Sequence, residues 1–76
     1  MARATARAER YFPRALVTEA QASFQVYVNA ECLVAPSLNA GGSEYSLLIS
    51  RCEIKLSTAR VQQLESDITY AIQIGR

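Results

Sequence analysis

The sequence predicts a small α+β domain: an antiparallel hairpin over about residues 24–34 and 44–56, packed by one C-terminal helix that starts near residue 58. Three observations point there. Two runs rich in β-formers alternate apolar and polar residues with period two, a Pro/Gly segment separates them, and Val61, Leu64 and Ile68 recur at helical spacing. Half of the 76 residues are hydrophobic and 20% are charged, the balance of one globular domain and not of a disordered tail. A chain this short hides only about 60% of its unfolded surface, so its core is thin and a partner chain is the expected supplement.

Residues 2–8 alternate Ala with Arg and Thr. Ala favours helix, but an isolated segment of this length is marginal in water, so residues 1–13 are expected to form a mobile basic arm ahead of a single domain at 14–76. Pro13 marks the boundary, and Tyr11 and Phe12 are large enough to anchor the arm. Residues 14–23 fit either a short helical turn begun by Pro13 or a strand begun by Leu16, Val17 and Thr18.

From Phe24 the alternation sharpens: Phe24, Val26, Val28, Ala30, Cys32 and Val34 fall on one side of a strand. Phe24, Val28 and Cys32 also satisfy a helical template, but Phe, Val and Tyr favour the strand. Residues 36–43, with Pro36, Gly41 and Gly42, read as a loop. Leu48, Ser50, Cys52, Ile54 and Leu56 then alternate along a second strand, apolar on both faces in its first half. Ser57 or Thr58 is placed to cap the helix through Leu64 and Ile68. Its end is open: a helix through Ile74 exposes Tyr70 and Ile74 together, whereas an extra strand over 68–74, or a hairpin over 59–74, buries them in a sheet.

Charge and composition exclude several functions. The chain contains no His, and with it go His-based triads and the common zinc sets; no metal site and no cofactor is expected. On a strand hairpin Cys32 and Cys52 sit roughly 20 Å apart, too far for a bridge, so both are expected as buried thiols of a cytoplasmic protein. Gly41 and Gly42 lack the Lys and hydroxyl of a phosphate loop. Ser57 with Lys55, and Glu65 with Asp67, are weak catalytic pairs without supporting motifs, so no enzyme activity is expected. No run of apolar residues is long enough to span a bilayer, and no membrane partner is expected.

What remains is binding. The first expectation is a non-catalytic protein-interaction module, a homodimer, acting as a regulator or inhibitor, encoded by a phage or mobile element, that occupies a target protein's surface. Tyr27, Tyr45, Arg51 and Tyr70 are its partner-binding candidates. The alternative rests on charge polarity. Residues 1–14 carry four Arg against Glu9, whereas residues 15–76 carry four cations against six acids. Arg3, Arg7, Arg10 and Arg14 then bind the phosphates of a nucleic acid, with Tyr11 and Phe12 stacking on its bases.

Overall fold

The computed structural model describes residues 2–39 and 41–75, and for Asn39 the backbone only. Among these residues there is no strand. Three helices follow in order: α1 (Ala2–Ala8), α2 (Arg14–Glu31) and α3 (Tyr45–Gln73), with one turn of 3-10 helix, Pro36–Asn39, between the second and third. The sheet, the hairpin over 24–34 and 44–56 and the strand over 68–74 are therefore replaced by helix, and the C-terminal helix begins at Tyr45, not near 58. Ser57 and Thr58 lie in its middle and cap nothing.

The physical reason is visible in the spacing. Residues four apart share a face of a helix and also share a face of a strand, so Phe24, Val28 and Cys32, or Leu48, Cys52 and Leu56, satisfy both periods. Residues two apart decide between them. Val26, Ala30 and Ile54, which a strand would bury with those sets, are exposed, while Val28 and Cys32 are buried. Punctuation agrees: neither Arg14–Ala35 nor Ser43–Ile74 contains a Gly or Pro, so nothing supplies the turns that short strands require.

Local chemistry sets the helix ends. Pro13 precedes α2 with φ −54° and ψ 128°, and its carbonyl accepts from the N–H groups of Leu16 (3.1 Å) and Val17 (3.2 Å). At the far end of α3, the N–H of Ile74 donates to Tyr70 and Gly75 takes a left-handed φ of 83°, the conformation that closes many helices.

Helices α2 and α3 form an antiparallel hairpin whose register is fixed at three levels. Val17 shares a buried cluster with Leu64 and Ile68; Gln21 accepts from Arg60 Nε at 3.3 Å, and the Arg60 guanidinium lies over the Phe24 ring at 5.7 Å; Cys32 is bonded to Cys52. Each step forward on α2 is met by a step back on α3. The inward stripe of α2 is Val17, Gln21, Phe24 and Val28, at alternating spacings of four and three. On α3 it is Leu48, Cys52, Leu56, Arg60, Leu64 and Ile68, every fourth residue, so at 3.6 residues per turn the stripe winds about 40° per step. Its first half therefore faces the loop, and its second half faces the start of α2 and, on the other flank, α1.

The N-terminal arm is part of this core. Ala4 and Ala8 are buried at 6% and 0% exposure against Leu64 and Ile68, with Tyr11, Phe12 and Val61 packed on the same cluster. The small side chains let α1 lie close on α3. An Ala-rich segment too short to hold a helix in isolation thus becomes helical by tertiary packing, which corrects the expectation of a mobile arm. Near the end of α3 Ala71 is buried, while Tyr70, Ile72 and Ile74 are exposed.

Candidate functional site

The molecule is a rod of 51 × 19 × 16 Å. Its accessible surface is 5595 Å², against about 4600 Å² for a compact monomer of this mass. Much of the surplus is apolar: Leu16, Val26, Tyr27, Leu33, Val34, Leu38, Leu47, Ile54, Tyr70, Ile72 and Ile74 are all exposed. Most of these residues lie toward one or other end of the rod, with Val26 and Tyr27 along α2 between them.

At one end, Cys32 and Cys52 are bonded with their Cα atoms 5.5 Å apart, so the separation of roughly 20 Å required by a strand register does not arise. Cys32 is 2% exposed and closes α2, its N–H donating to Val28. The chain then continues as linked turns. Leu33, Val34, Ser37 and Leu38 donate their N–H groups to Ala30, Glu31, Leu33 and Ala35 respectively, and the Ser37 hydroxyl donates to the Val34 carbonyl at 2.6 Å. Pro36 is buried under this fold-back, while Leu38 is 88% exposed. Gly41 follows with φ +83° and nothing near the position of a side chain, so it supplies a left-handed turn and no cradle; the glycines lead into a helix, not a strand. On α3 beside the disulfide, Leu47, Arg51 and Ile54 share an exposed face at spacings of four and three, and Ser50, Glu53, Ile54, Ser57 and Thr58 line an open hollow.

The other end has a groove of about 180 Å³ where the helices meet, lined by apolar residues with Arg60 and Asp67 as its charges. Asp67 Oδ1 accepts from Gln63 Nε2 at 2.9 Å. Neither place assembles reactive groups. Lys55 and Ser57, same-face neighbours on a strand, point to different sides of α3, and Glu65 and Asp67 likewise diverge. Among the described residues no group of three or more His, Cys, Asp or Glu is placed to hold a metal, and no helix is long and apolar enough to cross a membrane. The arrangement is suited to contact with another molecule.

The four partner-binding candidates do not meet in one patch. Tyr45 opens α3, half-buried, and Tyr70 stands near its far end, roughly 37 Å away along the helix. Tyr27 is exposed midway along α2. Arg51 is exposed at the disulfide end, beside Leu47 and Ile54. The sequence reading missed Leu33, Val34 and Leu38; the signal available was large apolar residues in a segment bracketed by two cysteines. Of the nucleic-acid candidates, Arg3, Arg7, Arg10 and Arg14 are exposed, with Arg14 3.9 Å from Glu9. Tyr11 and Phe12 are partly buried against the core.

The family model described as "Lysozyme inhibitor LprI" matches residues 1–64, most of the chain, and the protein belongs to that family. No curated protein and no solved structure matches it. Membership bears out the expectation of an inhibitor-like protein-binding module and lends nothing to a phage origin, a homodimer or nucleic-acid binding.

Proposed function

We propose that this member of the LprI family inhibits a lysozyme by seating its disulfide-tied end on the enzyme. The observation that carries the reading is the exposure of Leu33, Val34 and Leu38 on a segment whose roots are joined by Cys32–Cys52 and whose turns are closed by its own hydrogen bonds. Binding loses less entropy when the contact residues are already held in place, and well-packed central anchors dominate interface energies. Leu47 and Ile54 extend this apolar patch along α3, Tyr45 flanks it, and Arg51 and Lys55 are its cations. Lysozymes work with a pair of carboxylates beside the scissile bond, and a guanidinium is the side chain best shaped to engage such a group. Occupation of the cleft by this end denies the glycan access without any chemistry in the inhibitor.

The disulfide bears on location. The cytoplasmic expectation rested on reduced thiols; a bridge between Cys32 and Cys52 belongs instead to an oxidising compartment, where an inhibitor would also encounter a secreted lysozyme.

The test is lysis of bacterial cells followed by turbidity, with the oxidised chain titrated against lysozymes of several classes. Slowed lysis is expected for at least one class. Leu38→Asp and Arg51→Ala each weaken inhibition by roughly tenfold or more at unchanged melting temperature, while Tyr70→Ala, at the opposite end, leaves it intact. Undiminished inhibition by a chain carrying both Leu38→Asp and Arg51→Ala would refute the assignment of this surface, and failure to slow any lysozyme would refute the function.

A further inference from the structure

The end opposite the disulfide has its own chemistry, which inhibition leaves unused. Arg3 and Arg7 share a face of α1, beside the face that buries Ala4 and Ala8, and Arg10 follows in the turn after it, all three exposed. Arg14 is a fourth, with its side chain 83% exposed and Glu9 at 3.9 Å. The nearby acids are Glu9, Glu65 and Asp67, and Asp67 is half-buried and hydrogen-bonded to Gln63. Large apolar side chains stand among these cations. Ile74 lines a shallow hollow with Tyr11, Phe12 and Pro13, the residues between Arg10 and Arg14, and Leu16, Tyr70 and Ile72 are exposed at the same end.

We infer that this end docks on the surface of an anionic phospholipid bilayer, the arginines pairing with headgroup phosphates and Tyr70 and Ile74, which share a face of α3, entering the boundary below them. Charge complementarity selects an anionic partner, because residues 1–14 carry four exposed arginines against Glu9 alone, and Glu9 is turned to Arg14 at 3.9 Å. Exposed aliphatic groups select lipid over nucleic acid. Tyr11 and Phe12 pack on the core, so the exposed groups of this end are the aliphatic Leu16, Ile72 and Ile74 with one ring, Tyr70, where base stacking needs successive free aromatic faces. No span is implied: contact is interfacial. The rod's 51 Å length keeps the disulfide-tied end clear of the bilayer, so docking goes beyond the inhibitor reading and does not depend on it.

Co-sedimentation with vesicles tests this, comparing pure phosphatidylcholine with vesicles in which about a third of the lipid is phosphatidylglycerol, at low salt. The oxidised chain is expected to bind the anionic vesicles only. Arg3→Gln, Arg7→Gln and Arg10→Gln together weaken the partition roughly 100-fold, and Tyr70→Ser with Ile74→Ser weakens it roughly tenfold at unchanged charge. Far-UV circular dichroism and lysozyme inhibition in lipid-free solution stay at wild-type values in both variants. Equal binding to neutral vesicles, no binding to anionic ones, indifference to the arginine substitutions, or displacement of the chain from vesicles by a single-stranded oligonucleotide overturns the proposal. Because inhibition is measured without lipid, any of these leaves the inhibitor reading standing.

Discussion

Replacing both cysteines, Cys32→Ser with Cys52→Ser, removes the one covalent tie between the two long helices. The residues that pack together as the main core, Ala4, Ala8, Val17, Leu64 and Ile68, all lie toward the other end, leaving Val28 and Pro36 as the buried apolar support near the bridge. The loss can be estimated from chain entropy. The sequence separation is 20, and closing a loop of that length costs an unfolded chain about 3 kcal/mol, a cost the bridge removes from the folding equilibrium. A domain of this size has a total stability on the order of 4–11 kcal/mol, so the double variant gives up a quarter or more of it. At about 4–8 °C per kcal/mol, the melting temperature falls by roughly 12–24 °C. Thermal unfolding followed by circular dichroism at 222 nm measures this, and limited proteolysis under native conditions locates it. Cleavage is expected first between Leu33 and Glu44, with the α1 end protected. A fall below about 4 °C, or cleavage that begins at α1, would show that packing and not the bridge holds the loop end, and would remove the ground for treating Leu38 as a pre-positioned anchor.

Further substitutions probe the remaining assignments. Leu64→Ala, at 3% exposure in the main cluster, should cost about 2–5 kcal/mol in denaturant unfolding, whereas Tyr27→Ala, exposed on α2, should stay within about 0.5 kcal/mol of wild type. Ala8→Asp places an unpaired carboxylate at a position with no exposure, and should release α1 and cost several kcal/mol; wild-type stability would mean that the arm is not part of the core. Gly41→Ala meets no neighbour but forces φ +83° on a side chain, so a loss of about 1 kcal/mol is expected from backbone conformation alone, read from the denaturant midpoint.

How far these features were legible follows from particular residues. The face made by Val61, Leu64 and Ile68 was readable because it repeats at spacings of three and four, which no strand satisfies. The exposure of Tyr70 with Ile74 followed from the same geometry once the helix was carried on. The burial of α1 was not readable: Ala4 and Ala8 are as compatible with a frayed helix as with a packed one, and only the stripe on α3 that receives them decides it. The disulfide was excluded by arithmetic that was sound for the wrong element. On strands Cys32 and Cys52 fall far apart, but on helices joined by a folded loop their Cα atoms come to 5.5 Å. An error of period thus became an error of redox state.

The ambiguity of the two central segments has a definite physical origin. A buried stripe that advances by four residues at a time, as from Leu48 through Cys52 to Leu56 on α3, is silent on period, because every shift of four is also two strand repeats, and only the i+3 pairs beside it, Tyr45 with Leu48 and Val61 with Leu64, separate helix from strand. Such a stripe arises when a long helix changes partners along its length, here from the loop to α1, so the feature that disguised the helix is the one that lets a single α3 serve both ends of the rod. The absence of Gly and Pro across Arg14–Ala35 and Ser43–Ile74 breaks the tie, since strands of ordinary length in a domain this small would need turns within those stretches. Those uninterrupted stretches also keep the two ends apart. The patch that we assign to lysozyme and the cationic face that we assign to lipid sit at opposite limits of one continuous helix, where neither has to be given up for the other.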